Sequence, residues 1–157
     1  SDAQIDYQGE FYRASAMAME PKPPQGAGLP IWVGGRAEAS LRRVGSHGDG
    51  WLANAFQDDD QVKMCREKIE ESALRAGRNP SEIGYQTQFD VPPRDAEGKQ
   101  FYADLDRVAA RAVQILEQGF GQAAINVTAI FQSGARSVEA MIESLGKVYE
   151  RVKSQVG

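Results

Sequence analysis

The sequence predicts an α/β fold in which parallel strands alternate with helices, and three observations lead there. A short apolar run, Pro30-Ile31-Trp32-Val33, stops at Gly34-Gly35 and gives way to the helix formers Ala37, Glu38, Ala39, Leu41 and Arg42. The same alternation of an apolar run with a helix-spaced stretch recurs three more times before the C-terminus. The last stretch has the clearest stripe, with Val138, Met141, Ile142, Leu145, Val148 or Tyr149, and Val152 on one helical face. Strands alternating with helices imply parallel pairing and right-handed crossovers.

Residues 1–28 read as an irregular segment, with a short hairpin around Gly9 within residues 5–12. A Pro- and Gly-rich connector follows over residues 21–28, where Pro21, Pro23 and Pro24 exclude a helix. The α/β portion spans residues 29–157. Its first strand, 31–33, leads to a helix over 37–44, with Glu38 at the start and Arg42 and Arg43 at the end, as the helix dipole favours. The second strand, 51–56, leads to a helix over 58–76. There Val62, Cys65, Ile69 and Ala73 share a face, Asp58, Asp59 and Asp60 fill the first turn, and Gly77 ends the helix. A third strand, 83–91, precedes a polar loop and a helix over 100–118 that carries Leu105, Val108, Ala109, Ala112 and Leu116 on one face. A fourth strand over 123–131 and a helix over 138–155 complete four βα units.

In the third strand Gln86, Gln88 and Asp90 alternate with Tyr85, Thr87 and Phe89; in the fourth, Asn126 and Thr128 alternate with Ile125 and Val127. A parallel strand covered on both faces is nearly all apolar. The alternation therefore implies either a wet lumen beside a site or an edge strand with one solvated face.

With 157 residues, 41% of them hydrophobic, the chain is long enough for one domain with a sizeable core. A net charge of −4 argues against a nucleic-acid footprint, which is basic. No apolar run approaches the ~18 residues of a membrane span. Cys65 is the single cysteine, so no intrachain disulfide is possible, and one Cys with one His excludes a Cys/His zinc cluster. No signal-peptide pattern opens the chain, and the expected compartment is the cytoplasm.

The strand–glycine–helix junction is the best functional candidate. Such a junction points backbone N–H groups outward at a helix N-terminus, where an anion binds readily. Gly34 and Gly35 permit close backbone approach and Arg36 adds charge. The same spacing also describes a tight βα turn that needs glycine for its dihedrals alone. His47 reads as an exposed helix-end residue, Cys65 as core, Arg136 as a solvated loop arginine, and Trp32 and Trp51 as packing residues. No Ser-His-Asp order, metal motif or carboxylate pair emerges.

Met19-Glu20-Pro21-Lys22-Pro23, Pro30-Ile31-Trp32-Val33-Gly34-Gly35-Arg36, Ala39, Leu41-Arg42-Arg43 and Gly48-Asp49-Gly50-Trp51 together closely resemble the luciferase-like monooxygenase superfamily. The flanking Gly9-Glu10-Phe11-Tyr12-Arg13, Ala76-Gly77-Arg78-Asn79-Pro80 and Gly119-Phe120-Gly121 extend the resemblance over nearly the whole chain. It implies a TIM (β/α)8-barrel fold, of which four βα units are half, the C-terminal half in this family. A whole barrel needs roughly 200 residues or more.

The resemblance further implies a flavin- or deazaflavin-dependent oxidoreductase or monooxygenase acting on a small molecule, with FMN or coenzyme F-420 as cofactor. Gly34, Gly35, Arg36 and Ala37 would hold the cofactor phosphate, and Asn54 and Gln57, at the next strand's end, would contact the same side. Many relatives carry Ser or Thr where this chain has Ala37, so backbone donors and Arg36 must carry the anion. Asp49 precedes its strand, at the barrel end that serves stability, and reads as a turn residue. No catalytic residue and no metal ligand is assigned. The chain alone is expected to be inactive and to form a homo-oligomer or pair with the missing half barrel. The competing expectation is a non-catalytic α/β half-barrel module for binding or assembly, in which the glycine turn is only structural.

Overall fold

The computed structural model describes residues 4–18, 20–55, 58–89 and 101–157, in two units, Ser1–Pro30 and Ile31–Gly157. Gln57 and Asp90, and the expected strand ends Phe56 and Val91, lie outside the described residues. In the first unit β1 (Ile5–Gln8) pairs antiparallel with β2 (Arg13–Met17), so the hairpin is longer than residues 5–12. Its turn closes through the Gly9 N–H donating to the Tyr12 carbonyl at 2.9 Å, and the Ala16 N–H donates to Asp6 Oδ1 at 2.8 Å.

In the second unit β3 (Trp32–Gly34), β4 (Gly50–Leu52), β5 (Gly84–Gln88) and β6 (Gln122–Ala124) form one sheet in chain order, each pair parallel. Helix α1 (Glu38–His47) follows β3, α2 (Asp59–Arg75) follows β4, α3 (Leu105–Glu117) follows β5, and α4 (Val127–Gln132) and α5 (Val138–Val156) follow β6. No helix among the described residues is long and apolar enough to cross a membrane.

Side-chain caps set where the helices begin. Asp58 accepts from the N–H groups of Asp60 and Gln61, which starts α2; Asp104 accepts from Asp106 and Arg107, which delays α3 to Leu105 rather than residue 100. The same device corrects the fourth strand. Asn126 accepts from the Thr128 N–H at 3.0 Å and turns the chain into α4, so β6 ends at Ala124. Asn126 and Thr128 are therefore helix-start residues, and the polar position of that strand is Gln122. At the other end of α2, Gly77 takes a φ of 70° and the Arg78 N–H returns to the Ala73 carbonyl at 2.9 Å.

Strand alternation sends Val33, Trp51, Tyr85 and Thr87 to the helix-covered side. There Leu41 and Val44 of α1, Val62 and Ile69 of α2, Val108 and Ala112 of α3, and Phe120 pack into one buried cluster with Trp51. The opposite face carries Trp32, Leu52, Gln86, Gln88 and Gln122, and Leu52 is 41% exposed there.

Helices α1 and α2 approach closely at Gly45, where an added Cβ would stand 2.3 Å from the Ile69 carbonyl oxygen. Two side chains stitch the pair: Ser72 Oγ donates to the Arg42 carbonyl at 2.9 Å, and Arg78 Nη1 donates to the Gly45 carbonyl at 2.7 Å. Arg78 thus closes the C-terminal end of α1 from the loop beyond α2. Gly45→Ala must push the helices apart, which costs roughly 1–3 kcal/mol as overpacking does. Thermal melting should fall by several degrees; a midpoint equal to that of the unsubstituted chain would show that the helices yield freely.

Candidate functional site

Gly34 ends β3, and Gly35 follows with a φ of 100°, a conformation that L side chains rarely adopt. Ala37 occupies the cap position of α1 in extended conformation and provides no side-chain cap. The N–H groups of Ser40 and Leu41 close on the Ala37 carbonyl at 2.8 and 3.0 Å. Those of Arg36, Ala37, Glu38 and Ala39 find no acceptor among the described residues. Uncapped donors at a helix start are the elements of an anion site.

The turn is fixed from the core. Trp51, fully buried on β4, donates its indole Nε1–H to the Gly35 carbonyl at 2.7 Å. Its ring packs against Phe120 at 6.0 Å between centroids and edge-on to Tyr85 at 6.4 Å. Sequence reading assigned Trp51 to packing alone. The register Val33↔Trp51 places it under the turn, but nothing in the residue string names the carbonyl it holds.

Arg36 is exposed and makes no hydrogen bond or ion pair with a described residue, so its guanidinium is available beside the turn. Its charge reaches inward all the same. Burial pushes the Cys65 thiol up, while Lys68 and then Arg36 oppose that shift. The acid nearest the turn, Glu38, pairs with Arg42 one helical turn on, at 3.1 Å.

Asn54 lies two residues past β4, on the neighbouring strand's C-terminal side, with its side chain exposed. Its carbonyl accepts from Thr87 Oγ at 3.1 Å, which ties it to β5, and its carboxamide has no partner among the described residues. The structure thus brings Gly34, Gly35, Arg36 and Ala37 together and puts Asn54 on the adjacent strand at the same sheet end.

Asp49 sits at the opposite end. Its Oδ2 accepts from the Ile31 N–H at 2.7 Å and its own N–H donates to the Ile31 carbonyl at 2.8 Å. The carboxylate is engaged in holding β3 to β4. His47 is exposed at the end of α1, and Arg136 stacks over the Phe131 ring at 4.4 Å. Among the described residues no group of His, Cys, Asp and Glu is placed to hold a metal ion.

The luciferase-like monooxygenase family model matches residues 1–97. The chain belongs to that family. Among curated relatives of this luciferase-like chain, 5,10-methylenetetrahydromethanopterin reductase from Methanopyrus kandleri is 30% identical over 79 residues, 50% of this chain and 22% of the relative. The F-420-dependent hydroxymycolic acid dehydrogenase of Mycobacterium tuberculosis is 28% identical over 113 residues, 72% of this chain and 30% of the relative. The match thus spans less than a third of either curated relative.

Among solved structures, the coenzyme F-420 dependent tetrahydromethanopterin reductase of Methanopyrus kandleri aligns with a TM-score of 0.51 at 20% identity, covering 94% of this chain and 49% of that one. An F-420-dependent secondary alcohol dehydrogenase in complex with an F-420-acetone adduct gives a TM-score of 0.51 at 16% identity, with 96% and 48% covered. These likenesses show the fold: the luciferase-like chain is a partial barrel of the (β/α)8 type.

Proposed function

We propose that this chain forms the C-terminal half of the barrel in a luciferase-like oxidoreductase and supplies the turn that holds the phosphate of coenzyme F-420 or, alternatively, FMN. The observation that carries the reading is the turn itself: unpartnered N–H groups from Arg36 to Ala39 beside a left-handed Gly35 whose carbonyl is fixed by Trp51. The donor set suits a phosphate. Backbone N–H groups and the helix dipole favour the anion, and Arg36 adds charge without a competing partner. The names of the relatives favour the deazaflavin over FMN.

When bound, the cofactor supplies hydride chemistry on a small-molecule substrate. This chain binds its phosphate end, orients it along the C-terminal ends of the strands, and furnishes Asn54 at the next strand. Gln57, outside the described residues, belongs to the same proposed set. Turnover needs a closed, water-poor pocket, so the isolated chain is expected to be inactive with reduced flavin or deazaflavin.

Fluorescence titration of the chain with coenzyme F-420 and with its phosphate-free deazariboflavin core tests the assignment. The phosphate-bearing form should bind at least tenfold more tightly; equal affinities would overturn the phosphate turn.

The partner reading is tested separately. Among the described residues strands β3 and β6 edge the sheet, and edge strands carry backbone groups that template further pairing. The chain should therefore self-associate or capture a complementary half barrel. Light scattering during size exclusion should give a mass above 17.2 kDa at micromolar concentration. A monomer mass throughout dilution would mean the edges are protected within the chain.

A further inference from the structure

The longest helix keeps part of its apolar stripe outside the core. Along α5, Val138, Ile142, Leu145, Tyr149, Val152 and Val156 recur at alternating spacings of four and three, the heptad rhythm of paired helices. Leu145 and Val152 lean on the core beside the buried Val148. The others turn outward: Val138 is 61% exposed, Ile142 63% and Tyr149 61%. Next to that stripe runs a second row at seven-residue spacing, Glu139, Gly146 and Lys153.

This second row is self-complementary. Glu139 and Lys153 stand equally far from Gly146, about 10 Å along the axis on either side. Neither makes an ion pair with a described residue, whereas Glu143 pairs with Lys147 at 2.7 Å and Arg151 with Asp106 at 3.0 Å. Its own N–H and the Ser137 hydroxyl hold the Glu139 carboxyl below the usual range, so it is charged at neutral pH. Lys153 Nζ lies 5.7 Å from the centre of the Tyr149 ring, which keeps the cation at the margin of the apolar stripe. Glu143 and Glu150 lie further round the helix, away from the stripe.

Gly146 adds an independent sign. Glycine inside a helix is unfavourable relative to alanine, because it loses more backbone entropy on ordering. A Cβ at Gly146 would meet nothing within 4 Å, so packing within the chain does not call for glycine there. A second helix crossing at that point would, since the separation of packed helices is set by the side chains between them.

We propose that α5 is a self-pairing surface, on which a second copy of this chain lays its own α5 antiparallel, with the two-fold axis close to Gly146. In that register Glu139 of each copy faces the other's Lys153, Val138 faces Val156, and Ile142 faces Val152. A parallel pair would set Glu139 level with Glu139 and Lys153 level with Lys153, so the charges select the antiparallel one. A two-fold contact uses one patch twice, and a patch with acid and base equidistant from its centre suits it. This contact is separate from the sheet edges, and the test tells the two apart.

Self-association is measured by sedimentation from micromolar to millimolar concentration for the unsubstituted chain and four variants. These are Glu139→Lys, Lys153→Glu, both changes together, and Gly146→Gln. Each single reversal creates two like-charge contacts in the dimer and should weaken association about tenfold. The double exchange restores opposite charges and should return the affinity to within threefold. Gly146→Gln should stabilise the helix, as glutamine does relative to glycine, and still weaken the pair at least tenfold. All three positions are exposed, so cooperative urea unfolding is the folding control. If Glu139→Lys fails that control, Lys153→Glu and Gly146→Gln provide the reading.

Loss in the single variants with recovery in the double one assigns the surface. Association that no variant moves overturns it and leaves the sheet edges as the contact between copies. Weakening without recovery on exchange overturns the antiparallel register. A chain that stays monomeric at millimolar concentration overturns both contacts and leaves α5 to a different polypeptide.

Discussion

Gly35→Asp should abolish measurable binding of coenzyme F-420 by the folded chain, a loss of more than a hundredfold. Two effects add at that residue. The φ of 100° is left-handed, so any L side chain there carries on the order of 1–2 kcal/mol of strain. The added Cβ also meets Ser40 Oγ at 3.3 Å, a contact the serine must yield to. The larger effect is electrostatic: a carboxylate ~4 Å from a phosphate charge, near a protein surface, is worth roughly 4 kcal/mol of repulsion. Gly35→Ala separates the two, because it keeps the strain and omits the charge; its affinity should fall about tenfold. Arg36→Ala should weaken binding less than Gly35→Asp, since the side chain is exposed and the backbone donors remain. Fluorescence titration of variants that melt cooperatively reads all three. An aspartate variant that binds as the wild type does would remove the phosphate from this turn.

Trp51→Ala should be the most destabilising single change in the sheet. The side chain is completely buried and touches Tyr85 and Phe120, and emptying such a site costs roughly 3–5 kcal/mol. Against a total of about 5–15 kcal/mol for a domain, that is a large share. Trp51→Phe is the more informative change, because it keeps most of the packing and removes the N–H that Gly35 accepts. Leaving that carbonyl without its donor costs roughly 1–3 kcal/mol. Urea unfolding should report that loss, and coenzyme F-420 affinity should fall severalfold as the turn loosens. If Trp51→Phe unfolds and binds as the wild type does, the indole does not hold the site.

Much of this arrangement was legible in the residues. The Gly34-Gly35 stop after an apolar run, and helix formers directly after it, located the turn because backbone conformation there depends on residue type. The stripe of α2 followed from spacing, but that of α5 only in part: Val148 is buried and Met141, Leu145 and Val152 pack on the core, while Val138 and Ile142 are exposed. Asp49 between two glycines was correctly read as a turn residue. The end of β6 was not legible. Ile125, Val127, Ile130 and Phe131 have strand-like composition, and the helix begins there with Asn126 as its cap. The donor from Trp51 to Gly35 was hidden for another reason: it joins side chain to backbone across two strands, and strand alternation specifies the face a residue takes but not the atom it meets. The polar face was visible as alternation in the third strand, while its partner Gln122 emerged only with the register. The proposed role of Gln57 lies outside the described residues.

Asp49 has a consequence for how the two rims of the sheet share their duties. Its carboxylate and N–H engage Ile31, and its carbonyl accepts from the Gly84 N–H at 2.9 Å, so one residue gathers the entrances of three strands. Loop closure becomes only slowly more costly with length, so the distance along the chain between residues 31, 49 and 84 adds little to the entropic cost of gathering them. These ties at the entrances involve no residue of the exit loops. Insertions or exchanges in the exit loops, where Gly35 and Asn54 lie, leave that registration intact. Such a sheet can acquire new chemistry at one rim while its order is kept by the other.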